Sequence, residues 1–366
     1  MKVYVFPADV SGCGYYRLIW PTRVLQAAGH DVQLVYPHQR HGLIKAEVDV
    51  KTGHPVGVIV PDDADVLVFQ RITHITLARA IPLIRAQGKA VVIDIDDDLS
   101  RIHPSNPAFH AMHPKNVQLG ISEHSWAACE MACRNSTVAQ VSTPALIQRY
   151  APTRDRVSVL KNYIPESYLG VRHHDSNVVG YGGALHSHSN DVPELGNSIR
   201  RLQSNGYDFM TIGEMPKTEL VLGLQRPTIP LGPVPITEWA GTLTKIGIGV
   251  APLADTQFNQ AKSWLKMLEM AAVGVPCIGS PRAEYKALHK LGVGLLANDP
   301  KDWYRTLQSL ITDGMKRRDL AAAGREVACR LTIEQNAYQW LETWKMAYEM
   351  EQVGLPDMLT GATRTR

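Results

Sequence analysis

The sequence predicts an α/β protein made of two Rossmann-like domains, each a doubly wound parallel sheet, facing one another across a cleft. Three observations predict it. Short apolar runs alternate with amphipathic helical stretches, which is the pattern of β–α–β units. The pattern pauses in the polar stretch 169–176 and restarts at Asn177, again with a glycine turn after the first strand. The 366 residues suffice for two domains of ordinary size. The expected division is a first domain over 1–168, a linker over 169–176, a second domain over 177–332, a last helix over 333–351, and a tail over 352–366.

The first strand is expected at 2–6. The loop SGCGYYR, 11–17, follows and opens a helix to about residue 28. Its glycines, Gly14 among them, let a backbone approach a ligand closely. A dinucleotide fingerprint needs a third glycine where Arg17 stands, so the loop is a poor match to that motif. Tyr15, Tyr16 and Arg17 are placed to reach the cleft, where an acceptor would lie. Strands follow at 31–36, 66–70 and 90–95. The intervening 38–55 reads as irregular, and a helix over 75–87 ends at Gly88.

The strand over 90–95 runs into DIDDDLS. Asp94, Asp96, Asp97 and Asp98 thus crowd the carboxyl end of a buried strand, where ligands of open α/β sheets bind. Three roles compete. Crowded carboxylates collect a cation, act as a base or position an acceptor, or cap a helix. Four acids exceed what a cap needs, so Asp96, Asp97 and Asp98 are catalytic candidates, with Asp97 first. His103, His110 and His113 lie in a Pro-rich stretch that reads as loop. They have no partners at metal-ligand spacing. Helices at 122–134 and from Pro144, and strands at 137–142 and 157–160, complete the first half.

In the second half, Gly182 and Gly183 form the second glycine turn, and Asp191 precedes a helix to about residue 202. The richest unit is DTQFNQAKSWLKMLEMAAVGVPCIGSPRAE, 255–284. It follows a buried strand within 246–253. A polar loop, 254–261, contains Asn259. A helix is expected from Lys262 to Gly274, where Pro276 prevents its continuation, and a strand follows at 276–279. Lys262, Lys266 and Glu269 stand at i, i+4 and i+7 and share one helix face. Lys262 and Ser263 at the helix amino end suit a phosphate, and Glu269 can accept hydrogen bonds from a sugar diol. The competing reading is a plain surface helix with Glu269 paired to Lys266. Trp239 reads as helix core. Three helices are expected to close the chain, over 300–313, 317–331 and 333–351.

Composition bounds the function. Hydrophobic residues make up 45%, charged residues 20%, and the formal charge is +3. That describes a globular protein and argues against tight duplex binding. No basic amphipathic helix points to a membrane acceptor. The five cysteines show no paired framework and read as reduced thiols of a cytoplasmic protein. No signal peptide or membrane-spanning run is expected.

The segment PLADTQFNQAKSWLKMLEMAAVGVPCIGS resembles the donor-binding segment of GT-B glycosyltransferases, especially the family-four group and related phage-encoded enzymes. The strings VSTPAL and VLKNYIP, with Asn162, are similar to the end of the first GT-B domain. The resemblance implies that Glu269 binds the ribose hydroxyls of a nucleotide diphosphate sugar. It implies that Gly182 and Gly183 approach the diphosphate, that the loop of Gly14 faces the interdomain cleft at the donor site, that Gly232 and Val234 offer backbone groups to the base, and that the helix over 333–351 crosses back to the first domain. The family's Arg and Lys after the second glycine turn are replaced here, with His188 in the loop. A second family Glu, eight residues before Glu269, is Ala261 here.

The implied activity is sugar transfer to an acceptor hydroxyl with retention, on a modified DNA base, virion protein or polysaccharide. The nucleotide sugar is co-substrate. No cofactor is required, and a divalent metal is allowed but not expected. A sugar-nucleotide epimerase of the same fold and a non-catalytic nucleotide- or carbohydrate-binding module remain as alternatives. On this reading Asp97→Asn lowers transfer and leaves donor binding nearly intact.

Overall fold

The computed structural model describes residues 1–112, 125–183, 190–213 and 217–354. The first domain carries strands β1 (Val3–Phe6), β2 (Val32–Leu34), β5 (Val66–Gln70), β6 (Ala90–Ile95), β7 (Val138–Val141) and β8 (Val157–Val159). They form one six-stranded sheet in the order β2-β1-β5-β6-β7-β8, and every pairing is parallel. The second domain repeats the plan with β9 (Val179–Gly182), β10 (Phe209–Ile212), β11 (Ile229–Leu231), β12 (Ile248–Ala251), β13 (Cys277–Gly279) and β14 (Leu295–Leu296). Its order is β11-β10-β9-β12-β13-β14, also all parallel. The central strands β1, β5, β6 and β7 are buried on both faces, which is why they read as continuous apolar runs rather than alternating ones.

Two apolar layers sandwich each sheet. In the first domain one layer gathers Phe69, Ile81, Ile93 and Cys129. The other gathers Val5, Leu18, Val92, Trp340 and Trp344. Trp340 and Trp344 belong to the final helix Tyr338–Gln352, so the end of the chain lies against the first sheet. Their indole N–H groups donate to Arg17 O at 2.8 Å and Gln140 Oε1 at 3.3 Å. Glu351, in the last turn of this helix, meets Arg85 at 2.9 Å and the Thr137 hydroxyl at 2.6 Å. Burial of two indoles, each roughly 150–250 Å², makes this helix a large contributor to the first domain's core.

Several elements differ from the sequence expectation. The stretch 38–55, read as irregular, contains strand β3 (Lys45–Val48). It pairs antiparallel with β4 (Pro55–Ile59) in a separate hairpin. Its alternation is weak because both strands are mostly solvent-exposed, so no apolar period marks them. A helix at Ala108–Met112 lies within the expected loop. The helix after β1 begins at the glycines themselves: a helical turn at Gly12–Gly14, a π-helical stretch at Tyr15–Ile19 and an α-helix at Trp20–Ala27. Pro21 is accommodated because it sits in the first turn of the last piece. The linker holds no regular structure beyond the short turn Glu166–Gly170, and Asp175 in it pairs with Arg317 at 2.5 Å and Arg318 at 3.2 Å. Among the described residues no helix is long and apolar enough to cross a membrane.

Candidate functional site

The carboxyl ends of β1, β5 and β6 face the segment that follows β12. Between them lies a cavity of about 460 Å³. The first domain lines it with Gly12, Cys13, Tyr16, Asp96 and Asn162. The second lines it with Gly183, Gly213, Val234, Trp239, Leu265 and Glu269.

On the first-domain side the acidic run is held by a cation for each buried acid. Arg17 and Asp94 are both fully buried and paired at 2.6 Å. Gln140 adds a bond to Asp94 at 2.6 Å, and Arg17 reaches Asn162 Oδ1 at 2.8 Å. Burial raises the Asp94 pKa, and Arg17 opposes that rise. Arg17 therefore anchors the sheet to the first helix. Its guanidinium is engaged with Asp94, Asn162 and Leu160 O, and the residue also lines the cavity. Asp96 is grasped by Arg71, whose Nε donates at 2.5 Å and whose Nη2 donates to the second oxygen. Burial would raise the Asp96 pKa, but Arg71 holds it below the ordinary value. Arg71 itself sits at φ 50°, a left-handed conformation rare outside glycine, straight after β5.

Asp97 turns to the other domain. Lys262 Nζ reaches its two oxygens at 2.9 and 3.0 Å and stacks over Phe258 at 4.4 Å. Burial pulls the Lys262 pKa down, but Asp97 more than offsets it. Asp98 stands on the far side, with Arg149 Nε at 3.5 Å and the Ser100 hydroxyl at 2.7 Å.

The segment before the donor helix is docked on the first domain along its length. Thr143 donates to Ala261 O at 3.0 Å, and Asn162 Nδ2 to Ser263 Oγ at 2.9 Å. The Trp264 indole donates to Asn162 O at 2.6 Å, and Lys161 meets Glu284 at 2.7 Å. The helix itself is Leu265–Ala272 with Trp264 at its amino cap, so Lys262 and Ser263 lie ahead of it rather than in its first turn. The reason is local. Gln257–Gln260 forms a separate turn capped by Thr256, and Lys262 N bonds Asn259 O at 3.1 Å. Asn259 is buried, and its side-chain amide donates to Asp191 at 2.5 Å and Ala254 O at 3.0 Å. It braces the loop and does not line the cavity.

Glu269 faces the cavity, only 7% exposed. The Tyr16 hydroxyl donates to it, and Tyr16 in turn sits 2.7 Å from the Tyr168 hydroxyl. With its own proton on Glu269, Tyr16 accepts from Tyr168. Burial pushes the Glu269 pKa up to about 7, against the pull of Tyr16 and Lys266. Lys266 bonds the Tyr181 hydroxyl at 2.8 Å and Gly182 O at 3.0 Å rather than pairing with Glu269. Burial takes its pKa down to about 8.

The second glycine turn is tight. Gly183 has φ 145° and Gly213 φ 107°; a Cβ on Gly183 would lie 2.9 Å from Lys266 Nζ, and one on Gly213 would lie 2.4 Å from Gly183 O. On the opposite wall a Cβ on Gly14 would meet Asp9 O at 2.0 Å, so that glycine is required by packing. Gly182 ends β9 against Trp239, where a Cβ would come within 3.0 Å of the indole. Gly232 is exposed with open space about it, and Val234 lines the cavity. Tyr15 is half-buried against Trp20, away from the cavity lining. His188 and His113 lie outside the described residues. Among the described residues no group of three His, Cys, Asp or Glu side chains is arranged to hold a metal.

Sequence reasoning passed over Arg71 and Gly213, which follow strand ends, a signal available from the sheet rule alone. Asn162, named there only as part of the resemblance, lines the cavity, and Trp239, read as core, both packs against the core and lines the cavity.

These two facing sheets define the GT-B fold. At the level of sequence, neither a family model nor a curated protein matches the chain. Solved structures do match in fold. HepE of Anabaena in complex with UDP-glucose is 14% identical, with a TM-score of 0.58, covering 94% of this chain and 100% of that one. Sucrose-phosphate synthase of Thermosynechococcus elongatus is 12% identical, with a TM-score of 0.61 and coverage of 95% and 100%. A glycosyltransferase of Rickettsia africae is 10% identical, with a TM-score of 0.62 and coverage of 94% and 98%.

Proposed function

We propose that the protein is a glycosyltransferase that moves a sugar from a nucleotide diphosphate sugar to an acceptor hydroxyl. The observation that carries this reading is Glu269, a buried carboxylate facing the interdomain cavity one helix turn from Lys266 and two from Lys262. A buried carboxylate met by hydrogen-bond donors but by no ion pair among the described residues keeps a desolvation cost that a ligand can relieve. Solved relatives in fold that hold UDP-glucose, and a starch synthase IV of Arabidopsis thaliana bound to ADP, favour a nucleotide as that ligand. The resemblance to family-four enzymes and their phage-encoded relatives supports retention.

In this reading the ribose diol donates to Glu269 in place of Tyr16. The base meets the stretch at Gly232 and Val234. The diphosphate lies over the glycine turns at Gly14 and Gly183, and Lys262 leaves Asp97 to neutralise it. Ser263, the amides ahead of Met267 and Lys266 complete the anion site. Asp97, released from Lys262, then orients the acceptor, while Asp96 stays clamped by Arg71. The acceptor oxygen bonds the anomeric carbon. The bond from that carbon to the diphosphate breaks with its electron pair, and the acceptor proton passes to the departing oxygen. The five cysteines are all unpaired, which supports a reducing compartment such as the cytoplasm.

The test is calorimetric titration with UDP, GDP, ADP and their glucose conjugates, alongside an assay of donor hydrolysis. Binding of at least one conjugate that Glu269→Ala abolishes supports the reading. No binding by any of them overturns it. Rapid interconversion of the donor's sugar with no acceptor present would favour an epimerase instead.

A further inference from the structure

A second cavity lies beyond the Asp97–Lys262 ion pair. Its volume is about 530 Å³, inside the range of roughly 300–1,000 Å³ typical of ligand sites. The first cavity is lined by Asp96 and Leu265, the second by Asp98 and Ala261. Asp97 and Lys262 stand between those positions in both chain segments, and their ion pair closes the gap between domains there. The Asp97–Lys262 pair thus stands between the residues that line the two cavities, beside the Thr143–Ala261 and Asn162–Ser263 bonds that also join the domains here.

The second chamber differs in chemistry from the first. Its side chains include Gln148, Gln257 and Gln260, with Asp98, Glu130, Arg101 and Arg149. The three glutamines are exposed. Each carboxamide supplies two donors and an acceptor. The charges balance, two acids against two arginines, and Arg149 is already bonded to Glu130 at 2.5 Å and lies 3.5 Å from Asp98. Such a lining repels a polyanion no less than it attracts one, and its apolar part is limited to Ala145 and Ala261. A phosphodiester backbone or an acyl chain finds no complement there. A neutral polyol does, because amides, carboxylates and guanidinium groups together match rows of hydroxyls that both donate and accept.

We propose that this chamber is the acceptor site and that the acceptor is a neutral saccharide. The inference rests on the function proposed above and names the acceptor class for it. Gln257 and Gln260 come from the second domain and Gln148 from the first, so a saccharide seated here bridges both. Its reacting hydroxyl would lie at Asp97, against a donor held in the first chamber. Displacement of Lys262 onto the diphosphate opens the partition only once the donor is present.

The experiment incubates the full chain with its donor and with maltotriose, cellotriose, chitotriose or mannotriose, and in parallel with duplex DNA or phosphatidylglycerol vesicles. Mass spectrometry reads the products. The proposal expects a glycosylated saccharide. It also expects Gln260→Trp, which fills the chamber from an exposed position, to shift the partition between transfer and donor hydrolysis by about tenfold toward water. Gln257→Ala should raise the saccharide KM by about three- to tenfold, as for loss of one or two neutral hydrogen bonds. Products on DNA or lipid alone would overturn the acceptor class and leave the transferase reading intact. Transfer to saccharide with an unchanged partition in Gln260→Trp would overturn the site. A donor neither bound nor hydrolysed would remove the transferase reading and this inference with it.

Discussion

The two walls of the cleft satisfy their buried charges in opposite ways. On the first-domain wall Asp94, Asp96 and Asp97 each have a cation: Arg17, Arg71 and Lys262. On the second-domain wall Glu269 and Lys266 are held mainly by hydroxyl and carbonyl groups, from Tyr16, Tyr181 and Gly182. Opposite charges lock, whereas neutral partners leave the group's affinity for charge and proton unspent. Asp96 is accordingly held below its usual pKa, and Glu269 is pushed up to about 7. On the proposed function, the first wall is a scaffold with one movable pair, and the second is the part that meets the ligand.

The largest effect should come from breaking the scaffold. Arg17→Met strands Asp94 at zero exposure, and removing one partner of a buried pair costs about 3–5 kcal/mol. Thermal or urea unfolding reads it. A variant of near wild-type stability would show that the first wall is not locked by its charges. Next comes the movable pair. Lys262→Ala should weaken nucleotide diphosphate binding by about 1.5–3 kcal/mol, the value of a charge-assisted hydrogen bond. Titration with UDP, GDP and ADP measures it, and equal affinity for all three in variant and wild type would take Lys262 out of the donor site.

A smaller effect separates the two walls most cleanly. Asp97→Asn frees Lys262, so diphosphate affinity should rise about two- to fivefold, the scale of a partly exposed ion pair, while transfer falls. From the sequence alone donor binding is expected to stay nearly intact; the ion pair changes the expectation. Unchanged affinity with undiminished transfer would leave Asp97 as a bystander.

The smallest effect is a slope. Glu269 has a folded pKa of about 7, above its ordinary 4.5, so its protonated form is favoured by folding. Its contribution to the stability of the free protein is full below about pH 4.5 and is lost as pH rises through 7. Nucleotide affinity should run the other way, because a ribose diol needs the ionised carboxylate. Melting and titration series between about pH 5 and 8 should therefore diverge, and Glu269→Gln should flatten both. Parallel slopes would mean that Glu269 does not receive the ligand.

Much of the fold was legible from the pattern of residues. Strands such as Val66–Gln70 and Ala90–Ile95 read as buried because every position is apolar or nearly so, and the observed sheets bury them on both faces. The β3–β4 hairpin was not legible, since an exposed ribbon has no core to impose a period. The site divided along the same line. Helical spacing does place Lys266 and Glu269 on one helix, but Lys262 lies ahead of it and turns to Asp97 instead. Arg17 was legible as a cleft residue, but its ion pair was not, because nothing near it in the chain reveals Asp94, 77 residues away.

What the chain order determined by itself is the doubled β–α plan, the carboxyl-end loops and the charged residues those loops carry. These follow from local periodicity and from the one-sided rule that ligands meet parallel strands at their carboxyl ends. Which acid meets which cation within the first domain was decided by its own packing, and only the docking of the two domains brought Tyr16 to Glu269 and Asp97 to Lys262. Such pairings join residues from 25 to 253 positions apart, and a local pattern carries no information about them.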